Sequence, residues 1–352
     1  MKERNDCMLG GGIFVTQNKT LPGSYINFVS ASKATATLGE RGVVAIPLPL
    51  GKAVGTVITI TRQEFIKNSL EILGKEYSSD EVKPLREIFC NAVKVYIYDM
   101  GEDSTAAEVV AAFEPYNFNI LCAYTDVTSD ISQYMTAVKS WRDDMGKKCQ
   151  VVVYNQEKPD NEGIINVKST VSDSGADAYA LTAWVAGAEA GAEVNESCTN
   201  KKYDGEYDIV CKLTQTQLEQ AITNGELVFH LVYDDVCVLE DINSMVTTSE
   251  DKGDDFKSNQ TIRVIDQIAN DIAKLFNTKY LGKIPNNESG RVSLWADIVH
   301  HHRQLESIQA IENFDSSLLT VVPGNTKKAV VVNDVVTPVN AMAQLYMTVV
   351  IQ

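Results

Sequence analysis

The sequence contains little that would support histidine or metal chemistry. Its 352 residues include only four histidines, and its seven cysteines are scattered without a Cys-x-x-Cys pair. An odd number of scattered cysteines is typical of a reducing compartment and argues against a disulfide framework or a zinc site. We therefore expect no cofactor and no metal, and few candidates for acid–base catalysis.

Phosphate-binding and hydrolase motifs are also missing. Gly51-Lys52-Ala53 lacks both the upstream glycine and the hydroxyl residue of a P-loop, and no Gly-x-Gly-x-x-Gly follows a strand. No Gly-x-Ser-x-Gly elbow occurs either. Because no local motif supports catalysis, we expect that the protein is not an enzyme.

Long apolar segments are absent as well. No run of about 18 apolar residues occurs, and the first residues lack the apolar core of a signal peptide. We therefore expect synthesis and folding in a cytoplasm, without membrane insertion. The formal net charge of −16 favours solubility and repels anionic partners, so nucleic acid is not an expected partner.

Clustered polar residues are interpreted conservatively. In His300-His301-His302, consecutive residues on a helix point about 100° apart, so the run is interpreted as a solvated or interfacial helix face, with only His302 near an apolar stripe. His230 lies in an apolar strand pattern and is interpreted as structural. The acidic residues 250–255 do not follow EF-hand spacing and are interpreted as part of a solvated linker.

The middle of the chain alternates strand and helix patterns. Continuous apolar strands at 93–98, 118–124 and 150–154 are separated by single helices, which predicts a mostly parallel sheet covered on both faces. The predicted fold class is a multidomain α+β and α/β protein with extended β-arms at both ends. The predicted parts are an N-terminal arm (1–33), a small α+β domain (34–92), an α/β domain (93–246), a polar linker (247–259) and a C-terminal α+β domain with a terminal strand arm (260–352).

Both ends of the sequence have apolar strand patterns. The predicted arm-strand residues are Ile13, Phe14, Val15, Thr16, Leu345, Tyr346, Met347, Val349 and Ile351. The predicted hinge residues are Gly10, Gly11, Gly12, Pro22 and Gly23. Each terminal strand has apolar groups on both faces, so it must pair or be covered. The partner is either another part of the chain or the sheet of a neighbour, to which an arm would add a strand.

Three segments together resemble a known family. LPGSYINFVSA near the start, TIRVIDQIANDIAKLFNTKYLGKIPN after the linker and the strand-forming end AQLYMTVVIQ are similar to the contractile tail sheath proteins of bacteriophages. The likeness is to the short sheaths of Gram-positive phages, prophages and phage-tail-like bacteriocins. It covers nearly the whole chain.

The resemblance implies a mechanical role. Sheath subunits form stacked hexameric rings in a helical lattice around a tail tube, and their terminal arms donate strands to neighbours. The sheath contracts from a metastable extended state and drives the tube through the target envelope. The implied partners are the chain itself, the tail tube protein, and baseplate and tail terminator proteins. The implied location is a virion or phage-tail-like particle assembled in the bacterial cytoplasm.

Two alternatives stay open at the level of sequence. A cytoplasmic α/β enzyme or small-ligand-binding protein would hold its ligand at the strand ends near Asp99, Thr125, Asp126 or Asn155. A tail tube or other static lattice protein is the other alternative, although a multidomain chain of this length is unexpected for it.

Overall fold

The computed structural model describes residues 6–9, 13–16 and 38–351, and its contacts divide the chain into two units, residues 1–35 and 36–352. In the first unit, β1 (Asp6–Leu9) and β2 (Ile13–Thr16) pair antiparallel, with Leu9 opposite Ile13. The predicted N-terminal arm strand is therefore present and has a partner within its own chain. The predicted hinge residues Gly10, Gly11, Gly12, Pro22 and Gly23 lie outside the described residues.

The second unit is built around one large sheet. Its strands are β3 (Val43–Leu48), β4 (Val57–Thr61), β5 (Lys94–Asp99), β6 (Ile120–Cys122), β7 (Gln150–Tyr154), β8 (Ile164–Val167) and β9 (Glu226–Leu227). Their order is β4-β5-β3-β6-β7-β8-β9, with every pair parallel except β4 with β5. The mostly parallel sheet predicted from the continuous apolar strands is confirmed.

Helices cover both faces of this sheet. They are α1 (Arg62–Leu73), α2 (Lys83–Phe89), α3 (Ala106–Phe113), α4 (Thr128–Asp143), α5 (Leu181–Gly191) and α6 (Gln215–Thr223). One core packs α1, α2 and α5 on one face, around Phe65, Leu85 and Trp184. The other core packs α3 and α4 on the opposite face, around Phe113 and Tyr134. We call residues 38–246 the central body.

The sheet crosses the predicted boundary between residues 92 and 93. Strand β3 comes from the predicted small domain, yet it lies between β5 and β6 of the predicted α/β domain. The division at this point is therefore wrong as a structural boundary. Its physical reason is that strand order depends on long-range pairing, which the local pattern of 34–92 does not contain.

The C-terminal region, residues 247–351, contains two helices and small antiparallel pairs. Helix α7 (Asn259–Leu275) continues into a π-helical turn and is followed by α8 (Glu288–Ser307). The remaining strands of the chain are β10 (Phe229–Val232), β11 (Asp235–Val238), β12 (Ile311–Glu312), β13 (Thr320–Pro323), β14 (Val330–Asn333) and β15 (Thr337–Pro338). The pairs are β10 with β11, β12 with β15, and β13 with β14. Among the helices that the structure describes, none combines the length and apolarity needed to cross a membrane.

Candidate functional site

The end of the described chain has no partner within it. Residues 342–351 contain no strand, and no backbone hydrogen bond joins them to the other described residues. Their apolar side chains are exposed: Leu345 by 87%, Tyr346 by 88%, Met347 by 75%, Val349 by 69% and Ile351 by 92%. The sequence predicted a strand here, and the described residues do not form one, because a strand needs a paired neighbour for its backbone groups. We call residues 342–351 the tail.

The base of the tail is anchored on the first turn of α7. The Gln260 side-chain oxygen accepts a hydrogen bond from the Ala341 backbone N–H at 2.9 Å, while its amide donates to the Asn195 carbonyl at 3.0 Å. Thr261 donates to the Asn340 side chain at 3.1 Å. One buried side chain, Gln260, therefore links the base of the tail to the central body.

Helix α7 turns its polar face inward. Arg263, Asp266, Gln267 and Asp271 are buried, whereas the apolar Ile265, Ile268 and Ile272 on the other side are only half-buried. An amphipathic surface helix normally buries its apolar stripe and leaves its charged face in water. The sequence analysis did not single out these charged residues. Their three- and four-residue spacing does place them on one face of the helix. An ordinary solvated face has the same spacing, so the sequence alone does not show that this face is buried.

Two groups of ion pairs fasten this polar face to the central body. Arg142 of α4 donates to both carboxylate oxygens of Asp266, at 2.6 and 2.9 Å. Arg263 donates to Glu189 of α5 at 2.6 Å and to Asp241 at 3.4 Å, and all three side chains are buried. Charged hydrogen bonds therefore hold the two regions together. The bidentate Arg142–Asp266 pair belongs to the class of strong, charge-assisted hydrogen bonds.

The surroundings of the Glu189 carboxyl raise its pKa. Burial and the neighbouring Asp241 carboxylate together raise the pKa to about 8, against the lowering effect of Arg263. Arg263 and backbone hydrogen bonding instead lower the pKa of Asp241 against the effect of burial. The ligand atoms of Glu189, Cys198 and Asp241 lie within 4.8 Å of one another, but Arg263 already supplies the cation that this cluster binds.

The histidine run is buried, so its interpretation as a solvated or interfacial face is wrong for two of the three residues. His301 and His302 are 0% exposed, and only His300 is exposed. The His301 Nε2 lies 3.0 Å from Asp271, and the His302 Nε2 lies 2.6 Å from Asp334. The physical reason is that carboxylates 30 and 32 residues away satisfy these rings, which local spacing cannot reveal.

The strand ends proposed for a ligand are partly occupied by the chain itself. The buried Asp99 carboxylate ends β5 and accepts four backbone N–H groups from residues 50–53, at 2.9, 2.8, 2.7 and 2.6 Å. This loop contains Gly51-Lys52-Ala53, the segment that lacks the upstream glycine and the hydroxyl residue of a P-loop. A backbone cradle of this kind binds anions, and here the anion is the protein's own carboxylate.

The other residues of that ligand hypothesis follow β6 and β7. Thr125 accepts a hydrogen bond from the Val127 backbone at 3.1 Å, while Asp126 and Asn155 are exposed. A groove with a volume near 480 Å³ lies away from these residues, between α3 and α4, and is lined by Ala107, Val110 and Ala137 among others. Asp99 is thus a structural residue of the loop.

Curated relatives come from phages and phage-like elements. The phage-like element PBSX protein XkdK of Bacillus subtilis is 30% identical over 260 residues, which are 70% of this chain and 56% of XkdK. The tail sheath protein of Clostridium phage phiCD119 is 27% identical over 269 residues, 74% of this chain and 71% of that protein. The chain spans about half the length of the B. subtilis relatives, 49% of YqbK and 56% of XkdK.

Solved sheath structures share the fold. The crystal structure of a sheath tail protein from Desulfitobacterium hafniense matches with a TM-score of 0.76 and 26% identity, over 91% of this chain and 97% of that one. The contracted helical sheath of the anti-feeding prophage matches with a TM-score of 0.68 and 15% identity, over 94% and 99%. The second likeness shows the fold alone.

Two family models match the two regions of the chain. The model of the phage tail sheath protein central domain matches residues 101–244, and that of the phage tail sheath C-terminal domain matches residues 251–352. Together they cover more than half of the chain. The fold and these matches define a structural protein of a phage tail. The chain belongs to the phage tail sheath family.

Proposed function

We propose that the chain forms stacked hexameric rings around a tail tube, linked by exchanged terminal β-strands, and that the sheath contracts from a metastable extended state. Contraction drives the tube through the target envelope without catalysis by the subunit. The proposed partners are other copies of the chain, the tail tube protein, and baseplate and tail terminator proteins. Assembly takes place in the bacterial cytoplasm.

The exposed tail is the observation that carries this proposal. A contiguous apolar segment with unpaired backbone groups is a liability in an isolated subunit and is covered in a functional assembly. The sequence of the tail has the apolar pattern of a β-strand, and Gln260 fixes the base of the tail at Ala341. An apolar segment that is fixed at its base and exposed along its length is suited to donation to a neighbour.

A hairpin in the C-terminal region supports the choice of an acceptor for the tail. Strands β13 and β14 form a two-stranded hairpin, and its valines Val322, Val331 and Val332 are exposed. Adding a strand to an outer edge would form about five backbone hydrogen bonds, worth ~5 kcal/mol at about 1 kcal/mol each before apolar burial. We propose that this hairpin accepts the tail of an adjacent subunit.

The N-terminal strand contributes a second link in this proposal. The β1–β2 pair has only two strands, so each strand has an outer edge that pairs with no other described strand. An isolated two-stranded hairpin is marginally stable in water and gains from a further strand. We propose that residues 13–16 join a neighbour's sheet, and that Gly10, Gly11, Gly12, Pro22 and Gly23 allow the link to turn.

Proline substitution in the tail tests strand exchange. Val349→Pro removes a backbone donor from the proposed strand, so we expect the subunit to fold with an unchanged urea midpoint but not to polymerise. The wild type should form rings or striated hollow tubes in negative-stain electron microscopy. Met342→Pro is the matched control, because it lies in the tail before the proposed strand 345–351.

Two outcomes would contradict parts of the proposal. Tubes of normal length from Val349→Pro would exclude tail donation. A wild-type protein that stays monomeric at all concentrations, with or without purified tail tubes, would contradict the assembly itself. Deletion of residues 1–20 tests the N-terminal link by the same measurement, and unaffected assembly would exclude it.

A further inference from the structure

The turn of the β10–β11 hairpin carries an exposed aromatic side chain. The turn has two central residues, Tyr233 and Asp234. The Tyr233 side chain is 98% exposed, and that of Leu231 just before it is 55% exposed. The Asp234 carboxylate is exposed as well. We call residues 231–234 the tip, which presents one aromatic ring, one aliphatic side chain and one negative charge.

Tyr233 has a backbone conformation that suits glycine better than tyrosine. Its φ is 56°, in the left-handed region. Two-residue hairpin turns with a positive φ at the first central residue favour Gly, Asn or Asp there, and a bulky residue in this region is strained. The exposed ring gains no packing within the described part of the chain that would offset the strain. We therefore expect the compensating contact to come from another molecule.

A groove in the C-terminal region has the apolar chemistry that suits the tip. It lies between α8 and β13, has a volume near 420 Å³, and is lined in part by Val292, Trp295, Leu319, Val321 and Pro323. The Trp295 indole N–H donates to the Leu319 carbonyl at 3.0 Å, which fixes the ring in the groove. Aromatic rings that meet edge to face or offset, with an amphipathic end left in water, stabilise interfaces. We call this feature the α8–β13 groove.

The rim of this groove is basic, although the whole chain has a formal net charge of −16. Arg291 lines the groove, and Lys327 and Lys328 are exposed on the turn of the β13–β14 hairpin. Asn286 joins these parts, because its side-chain oxygen accepts from Arg291 at 3.0 Å and its amide donates to the Lys327 carbonyl at 3.1 Å. Glu288 is the acidic residue of the lining. The cations outnumber this carboxylate, so the groove suits an aromatic partner with a negative charge.

The tail strand of the proposed function would leave this groove open. A hydrogen bond from Gly324 to Ala329 closes the hairpin turn. By antiparallel alternation, Val321 and Pro323 then direct their backbone groups to the outer edge of β13. Pro323 has no N–H, and the Leu319 carbonyl on the same edge is already taken by the indole. We expect an added strand to pair with the outer edge of β14 instead, which leaves the α8–β13 groove for side chains.

We propose that the tip of one copy docks into the α8–β13 groove of a second copy of this chain. The Tyr233 ring packs against Trp295, and the Asp234 carboxylate pairs with Arg291. Tyr, Trp and Arg are the residues that most often anchor interfaces. The inference rests on the proposed assembly of copies, and it adds a contact that uses neither terminal arm.

The geometry of such a contact determines the kind of assembly. The tip and the α8–β13 groove are different surfaces of one chain, so the contact is heterologous and each copy can offer both halves. Heterologous contacts repeat head to tail and form rings or helical arrays. A tip–groove contact is therefore compatible with stacked rings as well as with a continuous helix.

Replacement of Tyr233 separates stability from assembly. Tyr233→Asn removes the ring and suits the left-handed backbone, so we expect a urea midpoint no lower than that of the wild type. We also expect a critical concentration for assembly at least about tenfold higher, measured by sedimentation. Tyr233→Phe is the matched control, because it keeps the ring and the strain and should assemble like the wild type. A Tyr233→Asn protein that assembles like the wild type, or that is less stable, would overturn the proposal.

A charge exchange tests the pairing of Asp234 with Arg291. Asp234→Arg and Arg291→Asp should each raise the critical concentration, because each brings like charges together in the contact. The double variant restores opposite charges, so we expect it to regain at least about tenfold over either single variant. Asp234→Arg combined with Lys212→Asp, at an exposed lysine outside the groove lining, is the control and should stay impaired. A double variant no better than the single variants would contradict the pairing.

Photo-crosslinking of the full chain gives a measurement that does not depend on tube formation. A benzophenone analogue of phenylalanine replaces Tyr233, and ¹⁵N-labelled copies are mixed with unlabelled ones, so that mass spectrometry recognises crosslinks between copies. We expect these crosslinks to lie in peptides from residues 288–323. Crosslinks between copies only elsewhere, or none in concentrated protein, would overturn the proposal even if a charge variant fails to fold. A protein that gives the expected crosslinks but forms no tubes would contradict the proposed sheath assembly and support the tip–groove contact.

Discussion

Arg142 of α4 and Asp266 of α7 form a buried bidentate ion pair, with nitrogen–oxygen distances of 2.6 and 2.9 Å. Arg142 also donates to the Cys149 carbonyl at 2.8 Å, so both of its terminal nitrogens are used. The pair joins helix α4 of the central body to the first helix of the C-terminal region. It is therefore the natural place to measure how strongly these two regions are coupled.

Asp266→Asn should be strongly destabilising. Removing one charge leaves Arg142 buried without a counter-ion, which costs about 3–5 kcal/mol in the free energy of unfolding. The double replacement Arg142→Met with Asp266→Leu should regain most of this loss, because no charge is then buried. Urea unfolding measures both. Asp235→Asn, in the exposed pair with Lys202, is the control and should change stability by less than about 1 kcal/mol.

Glu189 should make the protein less stable as the pH rises. Its pKa is about 8 in the folded chain and near 4.5 as an ordinary glutamate, so between these values the folded state binds one proton more than the unfolded state. The free energy of unfolding must then fall as the pH rises through this window, by more than about 1.4 kcal/mol, the value of a tenfold change in proton affinity. Glu189→Gln should remove most of the fall.

Thermal unfolding at intervals between about pH 5 and pH 8 tests the Glu189 prediction. The exposed Glu71→Gln is the control and should keep the wild-type slope. A slope in Glu189→Gln as steep as that of the wild type would assign the pH dependence to another group.

Asp99→Asn should open the loop at 50–53. An amide has one acceptor oxygen in place of two, and its NH₂ group would face backbone donors, so two or more of the four hydrogen bonds are lost. We expect a loss of about 2–6 kcal/mol, at about 1–3 kcal/mol for each of two donors left without a partner. Amide exchange of the loop and urea unfolding report this, and the exposed Asp103→Asn should be neutral.

Gly187→Ala should separate two helices of the core. A Cβ at this position of α5 would overlap the backbone carbonyl of Ile88 in α2, and backbone cannot rotate away as a side chain can. Overpacking of this kind costs about 1–3 kcal/mol, measurable as a lower urea midpoint. Gly253 has open space around its Cβ position and an ordinary φ of −80°, so Gly253→Ala should be neutral or slightly stabilising.

Local patterns predicted the elements better than their arrangement. The apolar strands at 93–98 and 150–154 and the parallel sheet were correct, because continuous apolar runs between helices have few other solutions. The central position of β3 was not predictable, since it is decided by pairing with strands about 50 and 75 residues away in the chain.

Buried charge was the main feature that the sequence concealed. Asp266 and Asp271 have the spacing of a solvated helix face, and His301 and His302 lack the spacing of a metal site. Their burial depends on partners such as Arg142 and Gly39, which lie more than 100 residues away from α7. The tail is a different case, because its strand pattern predicts a backbone partner that the described part of the chain does not supply.

The position of Gln260 has a mechanical consequence. If a neighbour grips the tail as proposed, tension along the tail reaches Ala341 first and passes through the Gln260 amide to Asn195. Next along α7, Arg263 and Asp266 would carry that load into helices α5 and α4, through their 2.6 Å contacts with Glu189 and Arg142. A pull on one end of the chain would thus be borne by α7 as a stiff lever, and the subunit would move as a whole while its core stayed intact.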